Sequence, residues 1–288
     1  MASPGGDEST NISAVRMTLA AILLIASPTL AQPVSGTTPT GIFYEVTGAG
    51  EPVVLIHAFS VDRRMWVPQL AAFESRFKII RYDLRGHGRS AAPAGAYAGY
   101  DDLREVLDTL RIPRATLVGL SAGSEVATNF TLAYPDRVTR LILASPGLGG
   151  YQIPSLPWAA ATFQAAGAGD AAGAAKLWAE TPIMMLHSNL AERDTVRSLV
   201  TDNWRLWTYR RTEQPLQPPA VNRLSEINVP TLVIIGDEDF PYIKDIASVI
   251  TKGVKNGRLV EIPRAGHMTN LDEPMSFNAA LSAFLTNP

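Results

Sequence analysis

The sequence predicts an α/β fold, a mostly parallel sheet covered by helices on both faces. Three observations lead there. From Gly41 onward, short apolar runs alternate with stretches of helical periodicity. No long linker, repeat or low-complexity block divides them. The 288 residues, 46% of them hydrophobic, are enough to bury the core of one large domain. Such alternation implies right-handed crossovers, and these place helices on both sides of the sheet.

Taken in order, "FYEV" and "PVVLIHAF" read as strands, "WVPQLAAF" as a short helix and "FKIIRYDL" as a strand. "YDDLREVLDTL" reads as a helix with Tyr100, Leu103, Leu107 and Leu110 on one face. "RATLVGL" is a strand, "SAGSEVATNFTLAY" a helix and "VTRLILAS" a strand. Near the end, "PTLVIIGDED" and "GRLVEIPRAG" are strands around the helix "YIKDIASVITKG", and "PMSFNAALSAFL" closes the chain as a helix opened by Pro274. The stretch 147–229 breaks the alternation. It is rich in alanine and aromatics, among them Trp158, Phe163, Trp178, Trp204, Trp207 and Tyr209. It reads as a helical cap inserted over the strand ends.

Composition narrows the functions. Charged residues are 18% and the net charge is -2, so no basic surface points to nucleic acid. The absence of cysteine removes disulfides, thiolate metal sites and a cysteine nucleophile. The four histidines, His57, His87, His187 and His267, lack zinc-motif spacing. No dinucleotide fingerprint is present, so neither a cofactor nor a metal is expected. Residues 1–31 read as an export signal: "MTLAAILLIA" is apolar but too short to span a bilayer, Arg16 precedes it, and small residues stand before Gln32. The expected location is secreted or periplasmic, with cytoplasmic as the alternative and Met17 as an alternative start.

The chemistry-bearing stretch is "LVGLSAGSEVA". Ser121 sits between Gly119 and Gly123 where a strand gives way to a helix. A sharp turn there exposes the hydroxyl at the carboxyl end of a strand, where open parallel sheets bind ligands, and aims helix N–H groups at a developing oxyanion. A serine nucleophile needs a base, and the base needs an orienting carboxylate. Asp237 and Asp239 follow one strand and His267 follows the last.

Together "HAFSVDRRMW", "YDLRGHGRS", "LVGLSAGS", "IIGDEDF" and "AGHMTNLDEP" resemble the motif series of the α/β-hydrolase superfamily. The likeness is to its serine esterases and lactonases, including those of the 3-oxoadipate enol-lactonase type, and it covers about 41–288. It implies an eight-stranded sheet with a helical cap. It implies Ser121 as nucleophile, His267 as base, Asp239 (through the Gly236-x-x-Asp pattern) as acid, and the N–H groups of Phe59 and Ala122 as oxyanion hole. His57-Ala58 stands where the family has His-Gly, and Ser124 where a second glycine is common. His57, His87 and Asp83 are expected to brace loops, Asp237 to be a solvated neighbour of the acid, and His187 to be a solvated or satisfied histidine of the cap, with substrate contact as its alternative. The implied activity is hydrolysis of small to medium esters or lactones through an acyl-enzyme. An acyltransferase and a triad-retaining ligand receptor are the alternatives. The cap aromatics, with Met184 and Met185, imply a mostly apolar pocket with Arg205, Arg210 and Arg211 in solvent. A small-molecule ester or lactone is the expected partner, with no nucleic acid and no membrane anchor.

Overall fold

The computed structural model describes residues 33–210 and 212–286, with 1–3 and 5–6; almost all of the expected export segment lies outside the described residues. Eight strands form one sheet: β1 (Val34–Thr37), β2 (Phe43–Thr47), β3 (Pro52–Ile56), β4 (Lys78–Tyr82), β5 (Ala115–Leu120), β6 (Val138–Ala144), β7 (Thr231–Gly236) and β8 (Gly257–Ile262). Their order across the sheet is β1-β2-β4-β3-β5-β6-β7-β8. β2 runs antiparallel to β1 and β4, and every other pairing is parallel.

The helices are α1 (Val67–Phe73), α2 (Gly99–Thr109), α3 (Ala122–Ala133), α4 (Ala160–Gly167), α5 (Ala171–Ala179), α6 (Arg193–Asp202), α7 (Pro241–Gly253), α8 (Thr269–Asp272) and α9 (Pro274–Thr286). All six residues of β5 and of β7 are buried, as strands covered on both faces require. Side chains alternate between two cores, as the two-residue strand period demands. Val54, Ile56, Leu117, Leu143 and Val233 join Leu103, Phe130 and Ile246 on the side of α2, α3 and α7. Val53, Leu55, Val118, Ile142 and Ile234 join Phe73, Phe277 and Leu281 on the side of α1 and α9.

On α2, Leu103, Val106 and Leu107 are fully buried, while Tyr100 and Leu110 pack at the margin of the same core. β1 has no counterpart in the sequence reading. Its residues are mostly exposed, and its place depends on backbone pairing with β2 rather than on an apolar pattern. Between β6 and β7 the chain runs through α4, α5, α6 and several single turns of 3-10 helix. Among the described residues no helix is long and apolar enough to cross a membrane.

Candidate active site

Ser121 joins β5 to α3 with φ 56° and ψ -115°, a left-handed conformation that costs a non-glycine residue about 1–3 kcal/mol. Ser121 is the N-cap of α3, a position whose hydroxyl ordinarily bonds back to the helix. Here it makes no such bond, and no other hydrogen bond reaches that hydroxyl among the described residues. The backbone is held instead: Ser121 N–H donates to Ala144 O at 3.0 Å, and Gly147 N–H donates to Ser121 O at 3.1 Å.

The two flanking glycines are explained by space. A Cβ at Gly119 would fall on the carbonyl of Gly123, and a Cβ at Gly123 on the carbonyl oxygens of Ile56 and His57. The strand-turn-helix is wound so tightly, and packed so closely on β3, that neither position can carry a side chain. Ser124 fills the place of a second glycine. It is fully buried, and its hydroxyl donates to Gly119 O at 2.7 Å and to Ala144 O at 3.2 Å. Ala122, the first residue of α3, has no partner for its N–H within the helix.

Of the two carboxylates beyond β7, Asp239 is the one that meets the histidine. His267 Nδ1 lies 3.1 and 3.2 Å from its two oxygens, with both side chains buried. Asp239 also accepts the N–H of Phe240 at 2.8 Å. The Asp237 side chain takes no part in this contact, and its Oδ1 is buried without a partner. The histidine ring thus presents Nδ1 to a carboxylate, which puts the proton on that nitrogen and leaves the Nε2 lone pair outward. Ser121, Asp239 and His267 all follow the carboxyl ends of β5, β7 and β8.

The loop carrying His267 is tied down by Asp272, which the sequence reading did not single out. The carboxylate of this buried residue accepts the N–H of Gly266 at 2.8 Å, of Ser188 at 2.8 Å, of His187 at 3.0 Å and of Asn189 at 3.2 Å. Burial pushes the Asp272 carboxyl up, but these N–H donors outweigh it and hold the group below its ordinary value. On α8, Asn270 donates to Met65 O at 2.9 Å, and Met65 sulfur accepts the N–H of Ala58 at 3.4 Å.

His57 and His87 brace loops, as expected. His57 Nε2 accepts the N–H of Leu84 at 2.8 Å, so its Nδ1 donates to Ala58 O at 2.7 Å. His87 Nε2 accepts the N–H of Ser60 at 3.4 Å. Burial pulls His57 down to about 4; burial and the neighbouring His57 pull His87 down to about 3. Asp83 fixes the turn after β4 by accepting from the N–H groups of Arg63 and Arg89 at 3.0 and 2.9 Å and from the Arg63 guanidinium at 2.9 Å. Ala58 has no left-handed φ, and the strained residue of that loop is Ser60, at φ 68°. Asn203, 4% exposed just after α6, links two of these loops to the helical segment. It donates to Asp62 at 2.9 Å and accepts the N–H of Gly88 at 2.7 Å.

The aromatic rings of the helical segment converge on Phe59. Trp178 and Trp207 lie 5.7 and 5.6 Å from its ring, both edge-on, and Trp158 stacks on Phe240 at 5.5 Å. Beside Phe59 lies a cavity of about 120 Å³, lined among others by Phe59, Leu84, Arg85, Ala122, Glu125 and Asn129. Its wall mixes apolar Leu84 and Val126 with charged Arg85 and Asp102, and the cap aromatics, Met184 and Met185 expected around a pocket do not line it. Arg205 and Arg210 are exposed, His187 is exposed, and Arg211 lies outside the described residues. A larger open depression of about 430 Å³ is lined by residues such as Ile112, Pro113 and Arg137 at the amino ends of β5 and β6, away from Ser121. No cluster of three metal-binding side chains occurs among the described residues.

A mostly parallel sheet with one antiparallel strand, and a strained serine between β5 and its helix, define the class of protein. The chain belongs to the alpha/beta hydrolase family, whose family model matches residues 53–280. It is 30% identical over 278 residues to a 2-hydroxy-6-oxononadienedioate/2-hydroxy-6-oxononatrienedioate hydrolase of Paraburkholderia phymatum, covering 87% of this chain and 92% of that protein. It is 26% identical over 250 residues to 3-oxoadipate enol-lactonase 2 of Acinetobacter baylyi, covering 84% and 92%. The structure of a thermophilic esterase from Thermogutta terrifontis, with malate bound, superposes with a TM-score of 0.69 at 25% identity, covering 89% of this chain and 98% of that one.

Proposed function

We propose that this protein hydrolyses carboxylic esters or lactones of small to medium size through an acyl-enzyme. The observation that carries the reading is a serine hydroxyl left without a hydrogen bond at a strained strand-to-helix turn, at the same end of the sheet as a buried His267–Asp239 pair. Ser121 Oγ attacks the substrate carbonyl carbon while His267 Nε2 takes its proton. Asp239 keeps the imidazole in the tautomer that can do so and stabilises its charged form. The N–H groups of Ala122 and Phe59 receive the oxyanion, each contributing about 3–4 kcal/mol. His267 then protonates the departing alcohol, and water repeats the cycle to free the acid. The helical segment 147–229 acts as a cap whose rings exclude water from this step.

A fluorophosphonate probe should label Ser121, and Ser121→Ala should lose both labelling and ester turnover. Equal labelling of the mutant refutes the nucleophile. Asp239→Asn should lower kcat by about 10⁴, since it favours the wrong histidine tautomer, whereas Asp237→Asn should stay within a few-fold of wild type. The reverse ranking refutes the acid. We propose export for residues 1–31. Mass spectrometry of protein from its native host should find an N-terminus near Gln32, and an intact Met1 in the cytoplasm refutes it.

A further inference from the structure

Ser121, Glu125 and Asn129 stand at i, i+4 and i+8 and share one face of α3. At 1.5 Å rise per residue, Glu125 and Asn129 lie about 6 and 12 Å along the axis from the serine. Both line the cavity that reaches Phe59 and Ala122. Both also face one point of the segment after β6: a Cβ on Gly149 would meet Glu125 Oε1 at 3.2 Å and Asn129 Oδ1 at 3.5 Å.

Neither oxygen is satisfied within the protein. Asn129 is 7% exposed and its Oδ1 has no hydrogen-bond partner. No hydrogen bond or ion pair reaches the Glu125 side chain among the described residues, and burial alone pushes its carboxyl up. Arg85, the cation of the cavity wall, is committed to Asp102 at 2.6 Å. Asn129 is buried and Glu125 half-buried; acceptors withdrawn from water and left open are costly, a carboxylate without a counter-charge most of all. They mark a place where a ligand supplies the donors.

We propose that Glu125 and Asn129 form a subsite for a substrate ammonium group, so that the preferred ester or lactone carries a primary amine some 6–12 Å from its reacting carbonyl, the span set by the helix rise. The inference rests on the hydrolase reading above. An ammonium brings three N–H donors and a positive charge to two acceptors, one of them a carboxyl. A hydroxyl brings a single donor and no charge. A divalent cation would need six or more oxygens, and no cluster of three metal-binding side chains occurs among the described residues.

The test compares kcat/KM for phenyl 6-aminohexanoate, phenyl heptanoate and phenyl 6-hydroxyhexanoate, which differ only in the terminal group. The ammonium ester should be favoured at least tenfold over both others. In Glu125→Gln, the ratio of ammonium ester to heptanoate should fall to within twofold of one. Equal rates for all three in the wild-type protein, a hydroxyl ester as good as the ammonium ester, or an undiminished ratio in Glu125→Gln overturns the subsite. A second measurement needs no turnover: calorimetric binding of n-pentylammonium, against 1-pentanol, to wild-type protein and to Ser121→Ala. Both proteins should bind the ammonium at least tenfold more tightly than the alcohol, and no such preference overturns the subsite even if the Glu125 variant does not fold. Fluorophosphonate labelling of Ser121 in the same preparation separates the two readings. Labelling without ammonium preference removes the subsite and leaves the hydrolase; ammonium binding without labelling does the opposite.

Discussion

The turn that carries Ser121 and the loop that carries His267 are held by opposite means. The turn after β5 is fixed by what is missing: Gly119 and Gly123 have no Cβ, and backbone rests directly on backbone. The loop after β8 is fixed by a charge, the Asp272 carboxylate, which gathers N–H groups from its own loop and from residues 187–189. The first arrangement is steric and indifferent to solvent conditions. The second is electrostatic, and it couples the histidine to the helical segment.

The strongest way to break this contrast is to put a methyl group where the steric turn has no room. Gly123→Ala should cost about 3 kcal/mol or more, because the atoms it meets are backbone and cannot step aside. Its thermal midpoint and its labelling at Ser121 should both collapse. Gly167→Ala, at an exposed site in α4 with nothing within 4 Å, serves as control and should be neutral or gain about 0.5–1 kcal/mol. Equal behaviour of the two variants would deny the steric account.

Asp272→Ala comes next. It strips a charged acceptor from the buried N–H of Gly266 and from the part-buried N–H groups of His187, Ser188 and Asn189, and should cost about 3 kcal/mol. Hydrogen exchange should quicken at Gly266 and at 187–189 while the Ser121 turn stays protected. Uniform loosening of both regions would show that the loop is not an independent unit.

Acid sharpens the contrast further. His57 and His87, beside the loop that carries Phe59, sit at about 4 and about 3 in the folded chain against about 6.5 when unfolded. Below pH 6.5 the unfolded chain therefore binds protons that the folded chain refuses. Their contribution is whole above that pH and is lost as pH falls, by about 2 kcal/mol for each ring at pH 5. Asp272 has the opposite kind of group and a lower window: a depressed carboxyl loses its contribution only as pH falls below about 4. The melting temperature should decline between pH 6.5 and 4.5, and by the same amount in Asp272→Ala. The raised carboxyls of Asp83, Asp102 and Glu125 work against this decline, so the rings are also titrated directly by NMR, and protonation of either ring near pH 6.5 in the folded chain would refute the buried neutral histidines.

What the sequence made legible follows from the same distinction. Continuous apolar runs such as "TLVIIG" announce strands buried on both faces, and the glycines around Ser121 announce a turn with no room for side chains. β1 left no such mark, because a polar edge strand owes its position to pairing with β2. Asp272 and Asn203 leave no mark in the sequence either, since a single carboxylate or amide shows its worth only once distant N–H groups have been brought to it. Glu125 and Asn129 were legible as helix positions, but their spacing from Ser121 resembles any solvated face until burial is known. The aromatics of the helical segment, with Met184 and Met185, do not line the cavity beside Phe59, whose wall is set by the polar face of α3 instead.

Asn203 has a consequence for engineering. One amide on the helical segment grips Asp62 in the loop after β3 and the N–H of Gly88 in the loop after β4, across 141 and 115 residues of chain. The segment is therefore not an interchangeable module. A chimera that borrows this stretch from a relative must import an equivalent amide at the same height, or the transplant will arrive with its two sockets empty.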